Sequence, residues 1–108
     1  MPVYNKLVRD RILEVLEREK LTYSSKILNP SEFAKSVQKK LYEEVKEFEQ
    51  ANSREEITGE LADILELVYA AAEMNQISLE ELESVRLDKK IKRGGFEKRI
   101  FLLEVNDE

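Results

Sequence analysis

The chain has 108 residues, of which 42% are hydrophobic and 38% charged, with three glycines and two prolines. That length suits one domain, residues 1–108, because neither half is long enough to build a core alone. Acids outnumber bases by 23 to 18 for a formal net charge of −5, a balance that disfavours nucleic acid as the main partner. Cysteine and histidine are both absent, which excludes disulfides, thiol chemistry, zinc centres and every Ser-His-Asp or Cys-His device. No apolar run approaches the ~20 residues of a membrane span, and Met1-Pro2-Val3-Tyr4-Asn5-Lys6 lacks the apolar region expected of a signal peptide. A soluble cytoplasmic protein is expected.

Taken in chain order, the first predicted element is a helix over about 8–20, carrying Val8, Ile12, Leu13 and Leu16 at helical spacing. Asn29-Pro30-Ser31-Glu32 then supplies an N-cap, a proline at the first helical position and an acid at the third. Ser53-Arg54-Glu55-Glu56 and Ser78-Leu79-Glu80-Glu81 are two further capping sequences of the S-x-x-E type. These signals predict helices over about 30–51, 54–75 and 79–93, the last stopped by Gly94-Gly95. Residues 96–105 contain Ile100-Phe101-Leu102-Leu103-Glu104-Val105, a short β-prone run. Such a strand needs an edge to pair with, at Lys26-Ile27-Leu28, at Val3-Tyr4 or on another subunit. The expected architecture is mainly α, a bundle of about four helices with one short C-terminal strand. Within the third helix, residues 64–72 are apolar on nearly every side, which points to burial against another copy of the chain.

The acids are placed unusually. On the helical wheel of residues 30–51, Phe33, Ala34, Val37, Leu41, Val45 and Phe48 form an apolar arc; Glu44 falls inside it and Glu47 at its edge. In the next helix Ile57, Leu61, Ile64, Val68 and Ala71 form the arc, with Glu60 and Asp63 at its border. The turn Ala51-Asn52-Ser53 lies near the midpoint between the two acid pairs. Antiparallel packing therefore brings all four carboxylates to a similar height. Two like charges 4 Å apart repel by about 4 kcal/mol at an effective dielectric of 20. Six such pairings exceed the roughly 5–15 kcal/mol that holds a domain together. Either some acids are protonated or a cation sits among them. An all-oxygen ligand set selects a hard ion, Mg²⁺, Mn²⁺ or Ca²⁺. A di-iron carboxylate bundle is excluded, because it requires Glu-x-x-His on two helices. The bland alternative is a pair of solvated acidic helix faces, the reading that suits Glu43, Glu49, Glu55, Glu56 and Glu66.

Bases concentrate elsewhere. Nine acids face two bases between Glu43 and Glu66, whereas seven bases face two acids between Arg86 and Arg99. Lys6, Arg9 and Arg11 add a second basic group near the N-terminus. Cation-holding acids beside a basic patch suit a polyphosphate, whose oxygens both can neutralise. Part of the basic run is also what a helix C-terminus favours.

Glu44-Val45-Lys46-Glu47 followed by Glu60-Leu61-Ala62-Asp63 resembles the E-x-x-E … E-x-x-D signature of the all-α, MazG-like nucleoside triphosphate pyrophosphohydrolases. The opening Tyr4-Asn5-Lys6-Leu7-Val8-Arg9-Asp10-Arg11-Ile12 and the closing Arg93-Gly94-Gly95-Phe96-Glu97-Lys98-Arg99 look like the phosphoribosyl-ATP pyrophosphohydrolase-like branch of that group. The resemblance implies that Glu44, Glu47, Glu60 and Asp63 bind Mg²⁺, with Mn²⁺ as a substitute. It implies hydrolysis of a nucleoside triphosphate between the α- and β-phosphates, giving a nucleoside monophosphate and pyrophosphate, with clearance of non-standard nucleotides as a role. Glu44 and Glu47 are the candidates for orienting or deprotonating the water. Lys6, Arg9, Lys89 and Arg93 are the candidates for phosphate contacts. The resemblance also implies a homo-oligomer, a dimer or a tetramer, with no nucleic acid and no membrane as partner. The alternative is a non-catalytic module of the same fold that binds a nucleotide or a partner helix; a third reading is a Ca²⁺-stabilised bundle.

Overall fold

The computed structural model describes residues 3–106. Four helices follow one another: α1 (Ile12–Arg18), α2 (Pro30–Gln50), α3 (Arg54–Met74) and α4 (Leu79–Arg93). The three long helices begin where their caps sit. Asn29 Oδ1 accepts from the Glu32 amide at 2.8 Å while Glu32 Oε1 accepts from the Asn29 amide at 3.2 Å, a reciprocal pair that satisfies two orphan donors. Ser53 Oγ and Ser78 Oγ accept from the amides of Glu56 and Glu81 at 3.0 and 3.1 Å. Glu56 reaches back one residue further than a regular capping box, to the amide of Asn52 at 3.3 Å. At the other end of α4, Gly94 takes φ of 83°, the left-handed region that favours glycine.

Two expectations change. The first helix is shorter than 8–20, because no side chain caps it at Arg11 and the chain turns left-handed at Lys20, with φ of 59°. Seven residues without a cap or a packing partner give little cooperative stabilisation. The strand expected over 96–105 is absent: no strand occurs among the described residues, and the segment instead makes a turn closed by the Arg99 amide on the Phe96 carbonyl at 3.1 Å. The run keeps its apolar side chains but meets no edge, and an unpaired strand leaves its backbone unsatisfied. Neither edge offered within the chain is used, and Ile27 is 96% exposed.

Helices α2 and α3 form the structural centre, a hairpin joined by residues 51–53, with α4 packed more lightly on α3 and α1 on none of them. The core is small. Val37 and Ala72 are the buried apolar side chains among the described residues, while Leu61, Leu65 and Val45 of the hairpin are each 48% exposed. The chain is drawn out to 66 × 35 × 25 Å with a radius of gyration of 18.6 Å, against about 13 Å for a compact chain of this length. Its accessible surface is 10530 Å², whereas a folded monomer of this mass exposes roughly 6,200 Å².

Candidate metal centre in the helical hairpin

Glu44 and Glu47 stand one turn apart on α2, and Glu60 and Asp63 stand one turn apart on α3. Because the turn at 51–53 separates the pairs by similar lengths of helix, the hairpin brings them side by side. Carboxylate oxygens of Glu44, Glu47 and Glu60 lie within 4.8 Å of one another. Asp63 lies outside that trio, with Oδ1 accepting from Arg9 Nη2 at 2.7 Å.

Burial makes this arrangement expensive. Glu44 is a buried charged residue at 6% exposure, and its Oε2, like Oε2 of Glu60, is removed from solvent with no hydrogen-bond partner. Two ionised carboxylates have nothing to donate to one another, so such atoms are satisfied by a shared proton or by a cation. Without an ion, a proton fills that role below about neutral pH. Burial first, then hydrogen bonding to Glu60 and the negative charge of Glu47 and Asp63, push the Glu44 carboxyl from 4.5 up to about 7. Lys40, one turn before Glu44 and half-buried, offers partial compensation, its Nζ 3.8 Å from Glu44 Oε1 and 3.9 Å from Glu43 Oε2. Sequence reasoning passed over Lys40, although its i, i+4 spacing from Glu44 was visible.

A hard divalent ion fits these residues. The donors are all oxygen, three converge, and two present buried atoms that lack any partner. The four candidate phosphate ligands do not converge in the same way. Arg9 reaches the acids, whereas Lys6 places its ammonium 5.4 Å from the centre of the Tyr4 ring. Lys89 and Arg93 line a groove of about 770 Å³ at the end of α4, together with Arg86, Lys90 and Phe96. Among the described residues no hydrogen bond or ion pair joins that groove to the acidic cluster.

The sequence model of one family, described as phosphoribosyl-ATP pyrophosphohydrolase, matches residues 5–88. The match contains both acid pairs, Lys6 and Arg9, and stops before Lys89 and Arg93. No curated protein and no solved structure matches the chain. Members of this family are pyrophosphohydrolases that act on nucleotide-like substrates, typically with a divalent metal. With more than half of its length matched, and both acid pairs inside the matched part, the chain belongs to the phosphoribosyl-ATP pyrophosphohydrolase family.

Proposed function

We propose that residues 1–108 act as one MazG-like domain, a Mg²⁺-dependent nucleoside triphosphate pyrophosphohydrolase that clears non-standard nucleotides in the cytoplasm. One observation carries this reading: the buried, partnerless Oε2 atoms of Glu44 and Glu60 beside Glu47 are what a cation site needs and a structural core avoids. Glu44, Glu47, Glu60 and Asp63 would hold the ion, Mg²⁺ or in its place Mn²⁺. When bound, such an ion neutralises phosphate oxygens and makes water easier to deprotonate.

The chain's own residues supply the rest. Water adds to the α-phosphorus, the bond from that phosphorus to the bridging oxygen breaks, and pyrophosphate leaves. A carboxylate oxygen of Glu47 or Glu44 takes the water's proton. Lys6, Arg9, Lys89 and Arg93 are proposed for the phosphates, where positive charge stabilises the spreading negative charge. No helix of the described residues is long and apolar enough to cross a membrane.

The decisive measurement is pyrophosphate release from canonical, damaged and phosphoribosylated nucleotides with Mg²⁺ or Mn²⁺. Turnover of at least one, lost on chelation, is the expected result. Nucleotide binding without turnover would select the non-catalytic module, and melting sensitive to Ca²⁺ but not to nucleotide the stabilised bundle.

A homo-oligomer is part of the same proposal. The exposed area exceeds that of a compact monomer by roughly 4,000 Å², several times the ~800 Å² that each partner hides in a standard interface. The surplus is apolar where it matters, at Leu61 and Leu65 on α3 and at Phe101 and Leu103 in the tail. Light scattering on a sizing column should give a mass at least twice the 12.7 kDa of one chain. A monomer stable at micromolar concentration would refute it.

A further inference from the structure

Residues 3–9 form neither helix nor strand, and α1 packs against none of the other helices. Among the described residues, one side-chain ion pair ties residues 3–20 to the hairpin, the 2.7 Å contact from Arg9 to Asp63. The arm is therefore attached to the helical body at the acidic cluster itself. Its attachment point is a carboxylate, Asp63, that the metal-centre reading also assigns to the ion.

A guanidinium and a divalent cation compete for such an oxygen. Both are drawn to the field of Glu44, Glu47, Glu60 and Asp63, and they repel each other at close range. The contact is open to solvent, with Arg9 59% and Asp63 40% exposed, and the arm's other anchorage among the described residues is the partial burial of Leu7, Leu13, Val15 and Leu16. We propose that Arg9 is an internal competitor for the metal: it latches residues 3–9 onto Asp63 in the metal-free protein, and entry of the ion releases the arm. This rests on the metal-centre reading and deepens it. Released, the guanidinium becomes free for substrate phosphates only once the ion is in place, which orders metal before phosphate. Phosphate arriving alone finds Arg9 already neutralised by Asp63.

Two readouts test the latch on the full chain, Mn²⁺ affinity by paramagnetic resonance and trypsin cleavage after Lys6, normalised to cleavage after Lys98 in the exposed tail. Arg9→Gln should bind Mn²⁺ about two- to fivefold more tightly than wild type, the range that removal of one exposed ion pair produces. Arg9→Lys should return the affinity to wild type. Mn²⁺ should accelerate cleavage after Lys6 in wild type, whereas in Arg9→Gln cleavage should be fast with or without the ion. Equal or weaker Mn²⁺ binding by Arg9→Gln overturns the latch alone. So does tighter binding with cleavage that ignores Mn²⁺ in wild type, because a charge acting at a distance would do that. If wild type binds no Mn²⁺, the metal centre and the latch fall together.

Discussion

Glu44→Gln is expected to lower pyrophosphate release roughly a hundredfold or more while making the metal-free protein more stable at about pH 8. The two effects have one cause. At that pH the carboxylate is charged, buried and surrounded by Glu47, Glu60 and Asp63. An amide of the same shape removes the repulsion, and its N–H groups can donate to the partnerless Oε2 of Glu60. The same amide is a poor ligand for a hard cation and cannot take a proton from water. Initial-rate assays and thermal melts on the same preparation separate the outcomes. Full activity would remove Glu44 from the site, and a loss of stability would show that its charge is well compensated in the fold. Sites that carry out chemistry commonly hold such unfavourable charge, because the arrangement suits the bound state.

The second large effect is on pH. Folding raises the Glu44 pKa from 4.5 to about 7, so the folded protein holds this proton more tightly than the unfolded chain. The resulting stabilisation is complete below the unfolded value, is lost progressively as pH rises between the two, and is gone above about 7. The full loss is up to about 3–4 kcal/mol, from about 1.4 kcal/mol per pKa unit. Metal-free wild type should therefore melt several degrees lower at about pH 8 than at about pH 5. Glu44→Gln should lack that component, so the difference between the two curves isolates the group. Identical pH slopes would assign the effect to another residue. Added Mn²⁺ should hold wild type up at the higher pH, where Glu44 is deprotonated.

Much of the architecture is legible because helix ends are written in local chemistry. Asn29, Ser53 and Ser78 place the starts of α2, α3 and α4, and Gly94 places the last stop. The meeting of Glu44, Glu47 and Glu60 follows from the wheel and a short turn, both local rules. Failures occur where a partner distant in sequence decides. The β-prone run at 96–105 looks the same whether or not an edge exists to receive it. Nothing periodic links Arg9 to a residue 54 positions later, so its ion pair with Asp63 is invisible to pattern reading. Lys40 is a different kind of miss. Its spacing was local, but an i, i+4 lysine looks like surface decoration until the acid beside it is seen to be buried.

Glu44, Glu47, Glu60 and Asp63 all belong to one hairpin, α2 and α3, whose halves are joined by a three-residue link. Closing so short a loop costs little chain entropy, and contacts between sequence neighbours form early in folding. The crowding of negative charge is then felt by the nascent hairpin, before the arm is tethered. A divalent ion present during synthesis would relieve that strain at its origin, acting as a folding template as well as a reagent.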